Sequence, residues 1–142
     1  MVFEVLVPMD NSKMAEKALR YALENHPDAE ITVYHVVGGP TIMMGDAVGL
    51  ALENNIQESA KEHSKSVFET AHKIASEYDR EVATETGLGH PARAILKRAG
   101  NFDAIVMGSH GRHSEGITRG FLIGNVAKTV FTRSPVPVTT VR

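Results

Sequence analysis

Short apolar runs alternate with amphipathic stripes along most of this chain. Five runs have the length and the β-branched content of strands, and they lie at 2–7, 31–37, 81–86, 104–107 and 136–141. The stretches between them repeat apolar residues every three or four positions, the period of a helix with one buried face. This order predicts an α/β fold in which a parallel sheet of five strands carries helices on both faces.

The third and the fifth strands are predicted to lie at the edges of the sheet. In the third, Glu81 and Glu85 alternate with less polar residues and indicate one solvated face. In the fifth, Pro137 cannot donate a hydrogen bond to a ladder, which suits an edge position.

Apolar stripes mark the long central helix and the last helix. Ser64 stands in the repeating stripe of the long central helix, among apolar residues three or four positions apart. The last helix is predicted at about 125–133, with Val126, Val130 and Phe131 facing inward.

Composition narrows the class of protein. With 142 residues, 42% hydrophobic and 23% charged, the chain has the make-up of one folded domain covering residues 1–142. A formal net charge of −2 argues against nucleic acid or an anionic membrane as the main partner. The absence of cysteine removes disulfides and thiolate chemistry. No apolar run suits a signal peptide or a membrane span, so a cytoplasmic protein is expected.

A glycine-rich segment follows the fourth strand. The strand stops at Gly108, Gly111 follows, and Gly124 with Asn125 opens the last helix. Glycines let the backbone approach an anion, and a helix N-terminus supplies unpaired N–H donors with a partial positive charge. Parallel sheets bind ligands beyond the carboxyl ends of their strands, where the winding reverses. The segment therefore predicts a phosphate site, and Asp10 after the first strand would share the crevice if the two strands are neighbours.

Each of these residues also has a plainer interpretation. Asp10 suits a turn or a helix cap, and Gly108 and Gly111 suit an ordinary turn. His110 and His113 are three apart, but a metal site is the less favoured reading because no further ligands stand at defined spacing.

The sequence also suggests roles for two arginines, two methionines and one histidine. Arg112 and Arg119 suit phosphate pairing and solvated loop positions equally well. Met43 and Met44 suit either a lid over the crevice or a gap in the core. His35, inside a strand, is predicted to be a hydrogen-bonded packing residue.

Several motifs together resemble the universal stress protein family over the whole chain. They are VPMDNS after the first strand, YHVV closing the second, Gly89-His90-Pro91 before the third helix, MGSHG after the fourth strand, the Gly-Asn helix start and the SPVPV ending. The resemblance implies a Rossmann-like sheet with strand order 3-2-1-4-5, whose reversal lies between the first and fourth strands.

Some members of that family bind ATP through a glycine motif, and this chain departs from it. Gly108 and Gly111 match the first two glycines, but twelve residues rather than nine separate Gly111 from Gly124. Asn125 stands where a hydroxyl residue is usual, although an asparagine can also cap the helix. The resemblance implies that Asp10 lies near the ribose and adenine, that the backbone at Val36 reads the adenine edge, and that phosphates lie along the glycine segment.

The complete set of nucleotide-binding residues implied in this way is Pro8, Met9, Asp10, Val36, Met107, Gly108, His110, Gly111, Arg112, Gly124, Asn125 and Val126. The expected ligand is ATP or AMP, with or without Mg²⁺. Because there is no nucleophile elbow, phosphate lysine motif or carboxylate pair, no enzyme activity is expected, with slow ATP hydrolysis or autophosphorylation left open.

The expected biological role is a stress-response or regulatory module that works as a homodimer. The resemblance implies the dimer, and the edge strand at Val136–Val141 offers unpaired backbone groups for it. The alternative is a universal stress protein that binds no nucleotide and acts as a dimeric protein-interaction module with an unknown protein partner. If the phosphate site exists, Gly108→Val is expected to weaken ATP binding, because the valine would obstruct the approach of the backbone to the phosphates.

Overall fold

A computed structural model describes residues 2–38, 53–110 and 124–142. The elements in chain order are β1 (Glu4–Pro8), α1 (Lys13–Asn25), β2 (Glu30–Val37), α2 (Glu53–Glu77), β3 (Ala83–Leu88), α3 (Pro91–Ala99), β4 (Ala104–Gly108), α4 (Asn125–Arg133) and β5 (Val138–Val141). None of the described helices combines the length and the apolar character that crossing a bilayer requires.

The five strands form one parallel sheet in the order β3-β2-β1-β4-β5. In the centre, Val5 of β1 lies opposite Ile31 of β2 on one side and Ala104 of β4 on the other. The α/β fold, the strand order and both edge strands are therefore confirmed. The chain winds outward in opposite directions from β1 and β4, so the reversal falls between these two strands.

Both faces of the sheet are covered by helices, which explains why the central strands are apolar at every position. Val5 and Val7 of β1 pack on the face that α1 and α2 cover, in a cluster with Leu19 and Val67. Leu6 points to the other face, in a cluster with residues of α3 and α4. All three β1 side chains are fully buried.

Strand β3 begins two residues later than predicted and continues through Leu88. Gly87 explains the extension, because a Cβ there would lie only 2.1 Å from the Tyr34 hydroxyl oxygen. A glycine at that position lets the Tyr34 ring cross β3 without breaking the ladder. The predicted solvated face is also incomplete: Glu81 is exposed, but Glu85 is half-buried and forms an ion pair with Arg98 of α3.

The prediction that Phe131 faces inward is wrong, because this side chain is 60% exposed. The buried stripe of α4 is centred on Ala127 and Val130. At about 100° per residue, Val126 and Phe131 flank that stripe on opposite sides. Val126 is half-buried against the α3 side of the core, whereas Phe131 extends from the other margin into solvent.

Candidate functional site

A cleft with a volume of about 590 Å³ opens at the carboxyl ends of the strands. The segments after β1, β2 and β4 and the first turn of α4 line it. Ten of the sequence-predicted residues are among its walls: Pro8, Met9, Asp10, Val36, Met107, Gly108, His110, Gly124, Asn125 and Val126. The cleft therefore lies where the strand order reverses, which is where sheets of this type bind ligands.

The other predicted residues of this region lie outside the described part of the chain. These are Gly111 and Arg112 of the phosphate segment, His113 and Arg119 beyond it, and Met43 and Met44. Within the described ranges, no three histidine or acidic side chains are grouped as ligands for a metal ion.

The two ends of the glycine segment are joined by a backbone hydrogen bond. The Gly124 N–H donates to the Ser109 carbonyl oxygen at 2.7 Å, and the Ser109 N–H donates to the Val141 carbonyl oxygen at 2.8 Å. The longer spacing between Gly111 and Gly124 thus leaves the start of α4 directly beside the end of β4. The additional residues fall between these fixed ends, outside the described residues.

The N-terminus of α4 has no side-chain cap. Gly124 is the N-cap residue in extended conformation, with φ −64° and ψ 158°, and no side chain accepts a hydrogen bond there. The expectation that Asn125 caps the helix is wrong, because Asn125 is already the first helical residue and its side chain is exposed. No acidic residue occupies the first turn. The partial positive charge of this helix end therefore lies at the cleft with no acidic side chain in its own first turn.

Helix α1 begins beside the same cleft, but the side chain of Ser12 caps its N-terminus. The Ser12 hydroxyl accepts a hydrogen bond from the Ala15 N–H at 3.1 Å. The Ser12 N–H in turn donates to Asp10 Oδ1 at 2.9 Å. Asp10 therefore has the turn role that its position suggested, and it also lies in the cleft wall.

His110 carries a polar atom without a partner. The side chain is only 6% exposed, and its Nδ1 lies 3.1 Å from the Ser109 hydroxyl oxygen. Its Nε2 is buried and has no hydrogen-bond partner among the described residues. A buried polar atom left unpaired costs about 1–3 kcal/mol. Because His110 lines the cleft, a ligand oxygen or nitrogen there would remove this cost.

Gly108 has a reason to be glycine that is separate from any ligand. A Cβ at this position would lie 2.9 Å from Met14 Cγ and 3.1 Å from the Met14 carbonyl carbon. The missing side chain therefore allows α1 to pack closely against β4. Loss of ATP binding in Gly108→Val would report this packing as well as any approach of phosphate.

The backbone of Val36 faces the cleft beyond the end of β1. Pro8 is the last residue of β1 and lies opposite Tyr34, whose carbonyl oxygen accepts a hydrogen bond from the Met9 N–H at 2.8 Å. Backbone groups alternate between the two edges of a strand, so Val36 presents its N–H and C=O on the same edge as Tyr34. With β1 ended, these two groups form a donor and acceptor pair at the cleft wall.

His35 is the hydrogen-bonded packing residue that the sequence predicted. Its Nδ1 lies 2.8 Å from the Ser64 hydroxyl oxygen, and its ring meets Phe68 edge-on with centroids 6.5 Å apart. Burial lowers the pKa of His35, Asp10 acts in the opposite direction, and His63 adds to the lowering.

Sequence reasoning did not assign a role to Ser64 or Ser109. Ser64 is fully buried in α2, and Ser109 is 1% exposed at the end of β4. The sequence did carry a signal for Ser64, since a hydroxyl in the apolar stripe of a helix needs a partner inside the protein. Ser109 follows a buried strand directly and gave no comparable signal.

Comparisons with known proteins agree with this geometry. The Universal stress protein family matches residues 1–142. The universal stress protein MJ0531 of Methanocaldococcus jannaschii is 30% identical and covers 98% of this chain and 81% of its own length.

Two solved structures extend the comparison. The structure of MJ0577 from the same organism has 28% identity and a TM-score of 0.77, covering 99% of this chain and 96% of its own. A universal stress protein from Archaeoglobus fulgidus, solved in complex with dAMP, has 21% identity and a TM-score of 0.64, covering 100% and 98%. With the sheet order, the cleft and the whole-chain match taken together, this protein belongs to the universal stress protein family.

Proposed function

We propose that this protein binds an adenine nucleotide, ATP or AMP, in the cleft at the carboxyl ends of β1 and β4. The observation that carries the proposal is the first turn of α4, which lines the cleft without a side-chain cap among the described residues, together with His110 in the same wall, whose buried Nε2 has no partner there. Unpaired helix N–H groups and a buried imidazole nitrogen are suitable partners for phosphate oxygens. The phosphates of the nucleotide are therefore assigned to this side of the cleft.

The opposite side of the cleft suits the base. The backbone N–H and C=O of Val36 stand beyond the end of β1, and an adenine edge carries the complementary acceptor and donor. Met107 and the end of β1 supply apolar surface for a flat ring. The structure of the Archaeoglobus fulgidus relative in complex with dAMP supports adenine nucleotides as the class of ligand.

The role we propose is binding and regulation, not turnover. Asp10 is the only carboxylate among the described residues of the cleft, and one of its oxygens already accepts the Ser12 N–H. Neither a second carboxylate nor a lysine lines the cleft in the described part of the chain, and the Ser109 hydroxyl beside His110 Nδ1 belongs to a side chain that is only 1% exposed. If Mg²⁺ accompanies the nucleotide, Asp10 would be the described cleft residue to hold it, and the ion would supply positive charge against the phosphates.

In this proposal, nucleotide binding acts on the contact between this protein and a second subunit. Strand β5 is an edge of the sheet, its side chains are half-buried, and α4 beside it exposes Phe131. Since β5 adjoins β4 and the Ser109 N–H donates to Val141, a change at the cleft reaches this edge directly. We therefore propose a homodimer formed through β5.

The first experiment looks for nucleotide in the protein as purified. Freshly purified protein is denatured, and released adenine nucleotides are identified by mass spectrometry, followed by calorimetric titration with ATP in the presence and absence of Mg²⁺. Binding of ATP or AMP is expected. If neither is released and neither binds, the nucleotide-free interaction module is the correct function.

The charge variant Asn125→Asp tests the phosphate assignment. It places a carboxylate at the first turn of α4, where we expect ATP affinity to fall about tenfold because like charges meet at the cleft. Thermal stability should be unchanged or slightly higher, since an acid at a helix N-terminus favours the helix.

Asn101→Asp is the matched control for this experiment. Asn101 is exposed before β4, at the amino end of the sheet, so the same charge change occurs far from the cleft. Equal ATP affinity in Asn125→Asp and Asn101→Asp would exclude the α4 N-terminus as the phosphate site.

A further inference from the structure

A buried serine connects the wall of the cleft to α2 and β3. Ser64 is fully buried, and its hydroxyl donates to the Ala60 carbonyl oxygen at 3.0 Å. The same oxygen lies 2.8 Å from His35 Nδ1 and 3.2 Å from the Thr86 hydroxyl, which donates to it. Three elements thus meet at one oxygen atom.

The hydrogen bonds at this oxygen assign a tautomer to His35. A serine hydroxyl has one proton and two lone pairs, and the proton is used on Ala60. With that proton on Ala60, the two remaining contacts are donations to Ser64, one by Thr86 and the other by an N–H at His35 Nδ1, and this is the arrangement on which the inference is built. A neutral His35 with its proton on Nδ1 carries a lone pair on Nε2.

The lone pair of His35 belongs to the base side of the cleft. His35 lines the cleft and directly precedes Val36, whose backbone edge faces it. Nδ1 is engaged with α2, so Nε2 is the ring nitrogen left for a ligand. The charged and titratable groups that act on this ring are Asp10 after β1 and His63 on α2. While neutral in this tautomer, the His35 ring accepts a hydrogen bond from a ligand at Nε2 and offers it no donor.

We propose that His35 Nε2 accepts a hydrogen bond from the exocyclic amino group of the bound base, and so selects a 6-aminopurine over a 6-oxopurine. This rests on the nucleotide binding proposed above. The backbone pair at Val36 discriminates poorly by itself, because an N–H beside a C=O can match either kind of purine edge. At His35, by contrast, an oxo group would bring two lone pairs together.

The selection depends on the protonation state of His35. Burial lowers the pKa of this ring, His63 lowers it further and Asp10 opposes them, so the ring is neutral at neutral pH. When the pH falls through this pKa, Nε2 gains a proton and becomes a donor. The preference for an amino group is then lost, and an oxo group becomes the better partner.

The test is calorimetric titration of the unmodified protein with ATP and ITP, from about pH 8 down to about pH 5. We expect ATP to bind about tenfold more tightly than ITP at the higher pH, with the ratio of affinities falling toward unity on acidification. Protonation changes at the phosphate side affect both ligands alike because their phosphates are identical, so they cancel in the ratio.

A pair of variants separates recognition from packing. His35→Asn retains an N–H donor for Ser64 and removes the second ring nitrogen, so the ratio should lie near unity at every pH. Thr86→Val removes the other donor to Ser64 but leaves His35 in place, so the ratio and its pH profile should match those of the parent. Thermal unfolding of both variants monitors the fold.

The outcomes distinguish this inference from the proposed function. An ATP to ITP ratio that is near unity or independent of pH in the parent, or unchanged in His35→Asn, overturns the role of His35 while nucleotide binding stands. Failure of the parent to bind either nucleotide overturns the proposed function and the inference with it.

Discussion

Gly108 shows how one residue can have both a packing role and a place in a ligand site. It lines the cleft, yet an added Cβ would contact the side chain and the backbone of Met14 in α1. We expect Gly108→Val to reduce the free energy of unfolding by about 1–3 kcal/mol, measured by chemical denaturation, because overpacking forces α1 away from β4.

Two further variants check that explanation of Gly108. Met14→Ala in the Gly108→Val background should restore part of the stability, since it removes the nearest of the three contacts, Met14 Cγ. Gly100→Ala is the control, because Gly100 has φ −62° and no atom within 4 Å of an added Cβ. That substitution should be neutral or stabilising by up to about 1 kcal/mol. Equal losses at Gly108 and Gly100 would contradict the packing argument.

At the scale of single residues, the sequence predicted the location of the site better than the role of each side chain. Gly108, Gly124 and Asp10 could be assigned to one cleft because the carboxyl ends of neighbouring parallel strands meet there. Asn125 follows the cap residue instead of forming the cap, because α4 starts one residue earlier than a cap at Asn125 would require. The unpartnered nitrogen of His110 depends on side-chain burial, which no spacing in the sequence reveals.

At the scale of elements, an ion pair joins α3 to the edge strand β3. Arg98 donates to both carboxylate oxygens of Glu85, at 2.7 and 2.6 Å, and lies over the Phe102 ring. The hydrogen bonds from Arg98 lower the pKa of Glu85, against an opposing effect of burial. Since both side chains are about one third exposed, we expect the pair to contribute less than about 1 kcal/mol.

The sign of this effect gives a pH prediction for Glu85→Gln. The pKa of Glu85 is lower in the folded than in the unfolded chain, so its ionised form stabilises the fold above the unfolded pKa. That contribution is lost as the pH falls through the folded pKa. Urea denaturation should show the variant less stable than the parent at about pH 7, with the difference shrinking as the pH falls toward about pH 3.

Glu81→Gln provides the comparison for the ion pair, because Glu81 is exposed just before β3 and undergoes the same change of charge. It should be as stable as the parent at both pH values. A Glu85→Gln deficit that persists in acid would show that packing, not the ion pair, joins the two elements.

The elements themselves were largely predictable, since strand and helix periods differ and all five strands were located from them. The errors arose where residues outside an element determine its length or the burial of its side chains. Strand β3 extends because Gly87 makes room for Tyr34, a residue of the neighbouring strand. Glu85 is half-buried because Arg98 reaches it from α3, and Phe131 is exposed because no described element covers that margin of α4.

At the scale of the whole molecule, the homodimer proposed above depends on the open edge of the sheet at β5. The carbonyl oxygens of Pro137 and Val141 accept hydrogen bonds from Ile105 and Ser109, so alternate residues of β5 face β4. Val138 and Thr140 therefore direct their backbone groups to the open edge. A second copy of β5 would pair with these groups.

Proline substitutions on adjacent residues test this edge without removing the strand. Thr140→Pro deletes an outward N–H and leaves the β4 ladder intact, so sedimentation velocity should show monomers with near-parental thermal stability. Thr139→Pro deletes an N–H that faces β4, so it should lower the thermal stability whatever the oligomeric state.

A dimer that persists in a folded Thr140→Pro variant would move the interface away from β5. The exposed Phe131 on α4 would then be the next position to alter, because it is the most exposed large apolar side chain in the described part of the molecule.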